Sequence, residues 1–117
     1  MNVEVLAIGD ELLIGQTINT NAAWIGQEMS LRGYRVLRSS TIQDDPEAIV
    51  GALDNILPNT NCVIITGGLG PTKDDLTKYT LASYFDSPLE IHQPTLTQIE
   101  AFFASLPTKL RLPLTIL

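Results

Sequence analysis

The stretch Cys62-Val63-Ile64-Ile65-Thr66-Gly67-Gly68-Leu69-Gly70-Pro71-Thr72-Lys73-Asp74-Asp75 decides how the chain folds. Cys62 to Thr66 shows no apolar-polar alternation, as expected for a strand buried on both faces of a parallel sheet. Glycines follow at once, where a main chain turns sharply or lets a ligand come close. Asp74 or Asp75 can then cap a helix carrying Leu76, Tyr79, Leu81, Ala82 and Phe85. Backbone amides of such a loop, together with the helix N-terminus, converge on one negative group, and Thr66 and Thr72 add hydroxyl donors. The alternative is a plain strand-to-helix turn in which glycine serves geometry alone. Neither of the commoner glycine patterns fits: Lys73 is preceded by Thr72 instead of glycine, and no third glycine falls at the dinucleotide spacing.

Upstream, Val3 to Ile8 reads as a buried strand ending in the turn Gly9-Asp10. Thr20 or Asn21 can cap a helix through Ala22, Ala23, Trp24, Ile25, Met29 and Leu31 that stops at Gly33. A second strand runs from Tyr34 to Ile42. Asp45-Pro46-Glu47 then supplies an N-cap, a proline at the first helical position and an early carboxylate. In the helix that follows, Ile49, Leu53, Ile56 and Leu57 share one face, and Pro58-Asn59 ends it. Pro94 can open a last helix through Leu96, Ile99, Phe102 and Phe103. Strands alternating with helices predict an α/β fold, a mostly parallel sheet layered between helices and joined by right-handed crossovers. Trp24, Phe85, Phe102 and Phe103 sit at helical spacings and are expected in the core.

With 117 residues, 44% hydrophobic and 17% charged, the chain has the composition of one globular domain. A net charge of −6 argues against broad contact with nucleic acid, which needs a basic face. No apolar run approaches the roughly 18 residues of a membrane span, and Met1-Asn2-Val3-Glu4-Val5 lacks a secretory n-region, so a cytoplasmic location is expected. The lone cysteine, Cys62, reads as a small buried hydrophobe. His92 has no second histidine or thiolate at ligand spacing and reads as a surface residue.

Carboxylates gather at the expected strand ends. Gly9-Asp10-Glu11 follows the first strand, Asp44-Asp45 the second, and Asp74-Asp75 the glycine run. The C-terminal edge is the binding side of an open α/β sheet. Asp45, next to Pro46, reads as a cap, which leaves Asp44 to face the cleft. Two carboxylates repel a phosphate unless a cation intervenes, and hard oxygen ligands suit Mg²⁺ or Mn²⁺. Asp10, Glu11, Asp44 and Asp75 can therefore form a metal or general-base cluster. Unrelated surface acids on an acidic protein remain the other reading.

Three ordered blocks carry a family resemblance: Gly9-Asp10-Glu11-Leu12-Leu13-Ile14-Gly15-Gln16 with Asn19-Thr20-Asn21, then Asp44-Asp45, then Gly67 through Thr77. Over residues 1–106 the chain resembles the N-terminal domain of CinA, the competence/damage-inducible protein. That domain has the molybdopterin-binding-like fold shared with MoaB, Mog and part of MoeA. Residues 107–117 read as a divergent tail, and because the fold normally continues with further strands, the chain resembles a member that stops early at its C-terminus.

In the wider fold the glycine loop binds the pterin phosphate and two aspartates act. By position they correspond to Asp75, eight residues beyond Gly67, and to Asp44. The resemblance thus implies Asp75 and Asp44 as catalytic acids, Thr66, Gly67, Gly68, Leu69, Gly70, Thr72 and Lys73 around a phosphate, and Asp10, Glu11 and Asp75 around a divalent metal (Mg, Mn or Co). Leu69 replaces a threonine common in the molybdenum-cofactor enzymes, and Pro71-Thr72-Lys73-Asp74 replaces their more basic approach. Both departures favour the CinA type. For that type the implied activity is metal-dependent hydrolysis of ADP-ribose to AMP and ribose 5-phosphate, with amidase action on nicotinamide mononucleotide confined to a separate C-terminal domain. The other expectations are a molybdopterin-binding module of cofactor assembly or a non-catalytic fragment. A small nucleotide or pterin phosphate is the expected ligand, with no nucleic-acid or membrane partner, and a homo-oligomer, dimer or trimer, is the expected assembly.

Overall fold

A computed structural model describes residues 1–68 and 77–106. Three parallel strands, β1 (Asn2–Ile8), β2 (Arg35–Ile42) and β3 (Cys62–Gly67), form one sheet in the order β2-β1-β3. Helix α1 (Asp10–Leu13) is a single turn after β1, α2 (Thr20–Leu31) leads to β2, α3 (Pro46–Asp54) leads to β3, and α4 (Thr77–Tyr84) and α5 (Gln93–Ala104) follow. The chain leaves β1 toward one neighbour through α2, then crosses back over β1 through α3. Right-handed crossovers in opposite directions place their helices on opposite faces of the sheet, which gives the expected layered α/β arrangement.

Central β1 is the most deeply buried element, with Val3, Val5, Leu6, Ala7 and Ile8 all in the core. Ile8 packs with Ile49 and Leu53 of α3, and Ile42, Ile65 and Leu81 close around them. The apolar stripe expected on α3 is therefore real at its first two positions. Ile56 and Leu57 lie beyond the helix, which ends at Asp54, well before Pro58. The last turn is closed off by polar groups: Asn55 Nδ2 donates to the carbonyl of Gly51 at 2.7 Å, and Arg38 donates to the carbonyl of Asn55 at 2.7 Å. At the other end, Asp45 caps as expected, accepting from the amide of Ala48 at 3.1 Å.

Some expectations are corrected. Asn19 caps α2, not Thr20 or Asn21, because its side-chain oxygen reaches the third helical amide, that of Ala22, at 3.1 Å. Trp24, Phe85 and Phe102 are about 60% exposed (62%, 59% and 59%) and do not pack the core. Helical spacing puts apolar residues on a face, but only an element packed against that face buries it, and among the described residues no such element covers theirs. Cys62 to Thr66 of β3 are half-buried for a related reason: β1 flanks one edge of β3, and no described strand flanks the other. His92 is exposed, as expected, with Nδ1 2.6 Å from the Thr95 hydroxyl. No described helix is long and apolar enough to cross a membrane.

A buried acid in the central strand was not expected. Pairing of β1 with β2 slips between Val3 and Glu4, so that Leu37 is passed over and Arg38 stands beside Glu4. Such an irregularity re-aims a side chain. Arg38 Nε and one terminal nitrogen bind Glu4 Oε1 at 2.8 and 2.7 Å. The amide of Leu57 and the hydroxyl of Thr60 donate to Oε2 at 2.9 and 2.6 Å. One carboxylate thus ties together β1, β2 and the connection from α3 to β3.

Candidate functional site

Register brings Ile8, Ile42 and Gly67 level, so the three strands end together at one edge of the sheet. The order β2-β1-β3 reverses direction between β1 and β3, and the crevice outside the strand ends at such a switch point is where open α/β sheets bind ligands. A cleft of about 160 Å³ opens there, lined by Ile8, Glu11, Thr17, Asn19, Thr66 and Gly67 among others. It has the size of a phosphate or small polar group, well below the ~300–1,000 Å³ of a whole-ligand pocket.

Gly67, which lines the cleft, and Gly68 after it are required by geometry. Gly67 has φ 92° and Gly68 φ 66°, both in the left-handed region. A Cβ on Gly67 would strike the carbonyl oxygen of Ile8, and one on Gly68 would strike the hydroxyl of Thr77. Close approach of the main chain to β1, with amides free of side-chain cover, is what an anion cradle needs. Gly67→Ala is expected to destabilise the chain by about 1–3 kcal/mol from backbone conformation alone. Urea denaturation reads this directly, and an unchanged midpoint would show that the strand end accommodates a side chain.

The acids divide into two groups. Asp10 turns toward the β2–α3 connection, where its Oδ1 accepts from the amide of Asp44 at 3.2 Å. Asp44 in turn accepts from the hydroxyl of Thr77 at 3.3 Å. Glu11 folds back over Gly9, its Oε1 standing 2.6 Å from where a Cβ would be, and lines the cleft beside Thr66 and Gly67. Neighbouring residues in a helical turn point about 100° apart, which is why Asp10 and Glu11 separate. Among the described residues no three His, Cys, Asp or Glu side chains converge as a metal-binding group. The donors present are hard carboxylate oxygens of the kind Mg²⁺ or Mn²⁺ takes. Leu69, Gly70, Thr72, Lys73, Asp74 and Asp75 lie outside the described residues.

A larger cleft, about 260 Å³, lies beneath α3, against Leu6, Ser40 and Ile42 and the small residues Ala48, Gly51 and Ala52. Its charged groups, Glu4 and Arg38, are already bound to each other and to the main chain. It therefore offers a ligand little to bind, unlike the strand-end cleft. Two residues gain significance only from the structure. Thr77, inside the quoted motif but expected only to continue a helix, is fully buried between Gly68 and Asp44. Asn19 both caps α2 and lines the cleft. Lys78 and a second threonine, Thr80, follow Thr77 closely, so residue order alone does not single it out.

The family model described as "Probable molybdopterin binding domain" matches residues 4–115. The chain belongs to this family. Within it, the chain is 48% identical to a CinA-like protein of Salinibacter ruber over 103 residues, covering 88% of the chain and 25% of that protein. It is 45% identical to a CinA-like protein of Gemmatimonas aurantiaca over 100 residues, covering 86% and 23%. The chain thus spans about a quarter of the length of these curated relatives. The crystal structure of the protein CinA, of unknown function, from Thermoplasma acidophilum superposes with a TM-score of 0.77 at 36% identity, covering 91% of this chain and 63% of that one. The tungsten cofactor synthesizing protein MoaB of Pyrococcus furiosus shares the fold, with a TM-score of 0.64 at 23% identity over 88% of this chain and 60% of its own. The molybdopterin-binding domain family, with its CinA-like members, therefore includes this chain, and Gly67, Gly68, Asp10 and Asp44 sit at the strand ends of a fold shared with CinA.

Proposed function

We propose that the strand-end cleft is a nucleotide diphosphate site and that its activity is hydrolysis of ADP-ribose to AMP and ribose 5-phosphate. The observation that carries this reading is the position of the cleft at the switch point between β1 and β3, with Thr66 and Gly67 on one side and Glu11 on the other. Two positive-φ glycines present the main chain to an anion, while Asp44 is linked to Gly68 through the hydroxyl of Thr77 and to Asp10 through its amide. An acid-rich surround holds a phosphate only if a cation offsets its charge. Asp10, Glu11 and Asp75 would hold a divalent ion, which would offset that charge and make water a better nucleophile. The chain's own share is to orient the diphosphate on the glycine run and to take a proton from the water at a carboxylate, with Asp44 or Asp75 as general base. Water oxygen forms the new bond to phosphorus, the bridging P–O bond breaks, and the phosphate oxygen set free leaves with ribose 5-phosphate or AMP.

Incubation of the chain with ADP-ribose is expected to release AMP and ribose 5-phosphate with Mg²⁺, Mn²⁺ or Co²⁺ present, and neither product in EDTA. Turnover that persists in EDTA, or none with any of the three ions, overturns the reading. A second reading, phosphate-anchored binding of a pterin without hydrolysis, is favoured by the family model and by the shared fold with MoaB. Calorimetric titration with a pterin phosphate and with ADP-ribose separates the two, because binding of the pterin alone selects the second.

A further inference from the structure

Thr77, the first residue of α4, has no exposed surface, although it carries a hydroxyl. A buried hydroxyl without a partner costs about 1–3 kcal/mol. Valine would fill nearly the same volume, so packing alone does not call for threonine here. The hydroxyl donates to Oδ1 of Asp44 at 3.3 Å, and it is also the atom that a side chain on Gly68 would strike. One oxygen therefore lies against both Gly68 and the candidate catalytic carboxylate, which arrive from different strands.

We propose that Thr77 is a positioning residue: its hydroxyl fixes the carboxylate of Asp44 relative to the main chain at Gly68. The inference rests on the nucleotide-site reading, which makes Asp44 a reacting group. Asp44 lies in the short connection between β2 and α3 and is only half-buried. Asp10 holds its main chain, by accepting from the amide at 3.2 Å, but leaves both side-chain torsions to be set by other contacts. Thr77 acts on those torsions. Its own place is set by α4, whose Leu81 packs against the core and whose Tyr84 hydroxyl donates to Asp54 of α3 at 2.8 Å. The carboxylate is thus referred to a helix anchored in the core, and a displacement near 1 Å at a reacting group costs on the order of 100-fold in rate.

Thr77→Val is expected to lower kcat for ADP-ribose hydrolysis by about 10- to 100-fold with KM changed by less than about twofold, and Thr77→Ser, which keeps the hydroxyl, to restore most of the rate. A lost helix contact alone would affect valine less than serine, the reverse order. Thr77→Val with the parent kcat, or an equal loss in both variants, overturns the proposal. If the parent chain hydrolyses nothing with any of the three ions, the nucleotide reading fails by itself. The tether is then judged by a double-mutant cycle in urea, with Thr77→Val and Asp44→Ala singly and together. Non-additive midpoint shifts sustain it, and additive shifts overturn it.

Discussion

Glu4→Ala is expected to destabilise the chain by about 2–4 kcal/mol, because it removes a buried carboxylate and leaves part-buried donors, the Leu57 amide and the Thr60 hydroxyl, without an acceptor. The side chain of Glu4 is 4% exposed and that of Arg38 39%. Three donors lose their acceptor: the guanidinium of Arg38, the amide of Leu57 and the hydroxyl of Thr60. For a domain whose whole stability is about 5–15 kcal/mol, such a loss removes a substantial share of the folding margin. Glu4→Gln is not a mild substitute. Every partner of Glu4 is a donor, so the amide nitrogen of glutamine must face one of them, at a cost of about 1–3 kcal/mol. Urea denaturation of the two variants checks the order, and a loss below 1 kcal/mol for alanine would show that the clamp is not essential.

The same residue sets an acid limit. Burial pushes the Glu4 carboxyl up, but hydrogen bonds from Thr60, Leu57 and Arg38 and the charge of Arg38 outweigh it and hold the group below its ordinary value of 4.5. A carboxyl depressed in the folded state stabilises fully above its unfolded value and loses that stabilisation as pH falls through the folded one. The parent chain should therefore weaken below about pH 4.5, while Glu4→Gln loses this part of the dependence.

The second large effect is on chemistry. Asp75→Asn is expected to reduce ADP-ribose turnover by at least about 1,000-fold, since asparagine keeps the shape of the side chain but can neither take a proton nor bring negative charge to a cation. Asp75 itself lies outside the described residues, but the two ends of its segment do not: Gly68 and Thr77 meet beside Asp44. Calorimetry should show ADP-ribose still bound by the variant in the presence of Mg²⁺, which separates lost catalysis from lost folding. Unchanged turnover would remove Asp75 from the reaction.

Much of this architecture is legible in the residue order. Val3 to Ile8 and Cys62 to Thr66 read as strands because short, largely apolar stretches rich in β-branched residues and followed at once by glycine have few other uses in a chain of this length. Asp45-Pro46-Glu47 marked a helix start because capping is local, decided within one turn. The clustering of Asp10 and Asp44 at one edge followed from parallel strands alone, since all of them end on the same side. Trp24, Phe85 and Phe102 misled because periodicity describes a helix and says nothing of what lies against it.

What the sequence by itself determined is the local and the topological: strands, helix starts, the glycine run, and the edge to which the acids belong. Each depends on neighbours in the chain or on chain direction, and both are written in residue order. Only the tertiary structure decided that Arg38 stands beside Glu4, because one slipped residue in strand pairing reverses which side chains meet. It alone sent Asp10 toward Asp44 and Glu11 into the cleft, and set the buried hydroxyl of Thr77 between Gly68 and Asp44. These contacts join residues about 30 or more positions apart, with the exception of Gly68 and Thr77, and their partners are chosen by packing and register, for which no local pattern exists.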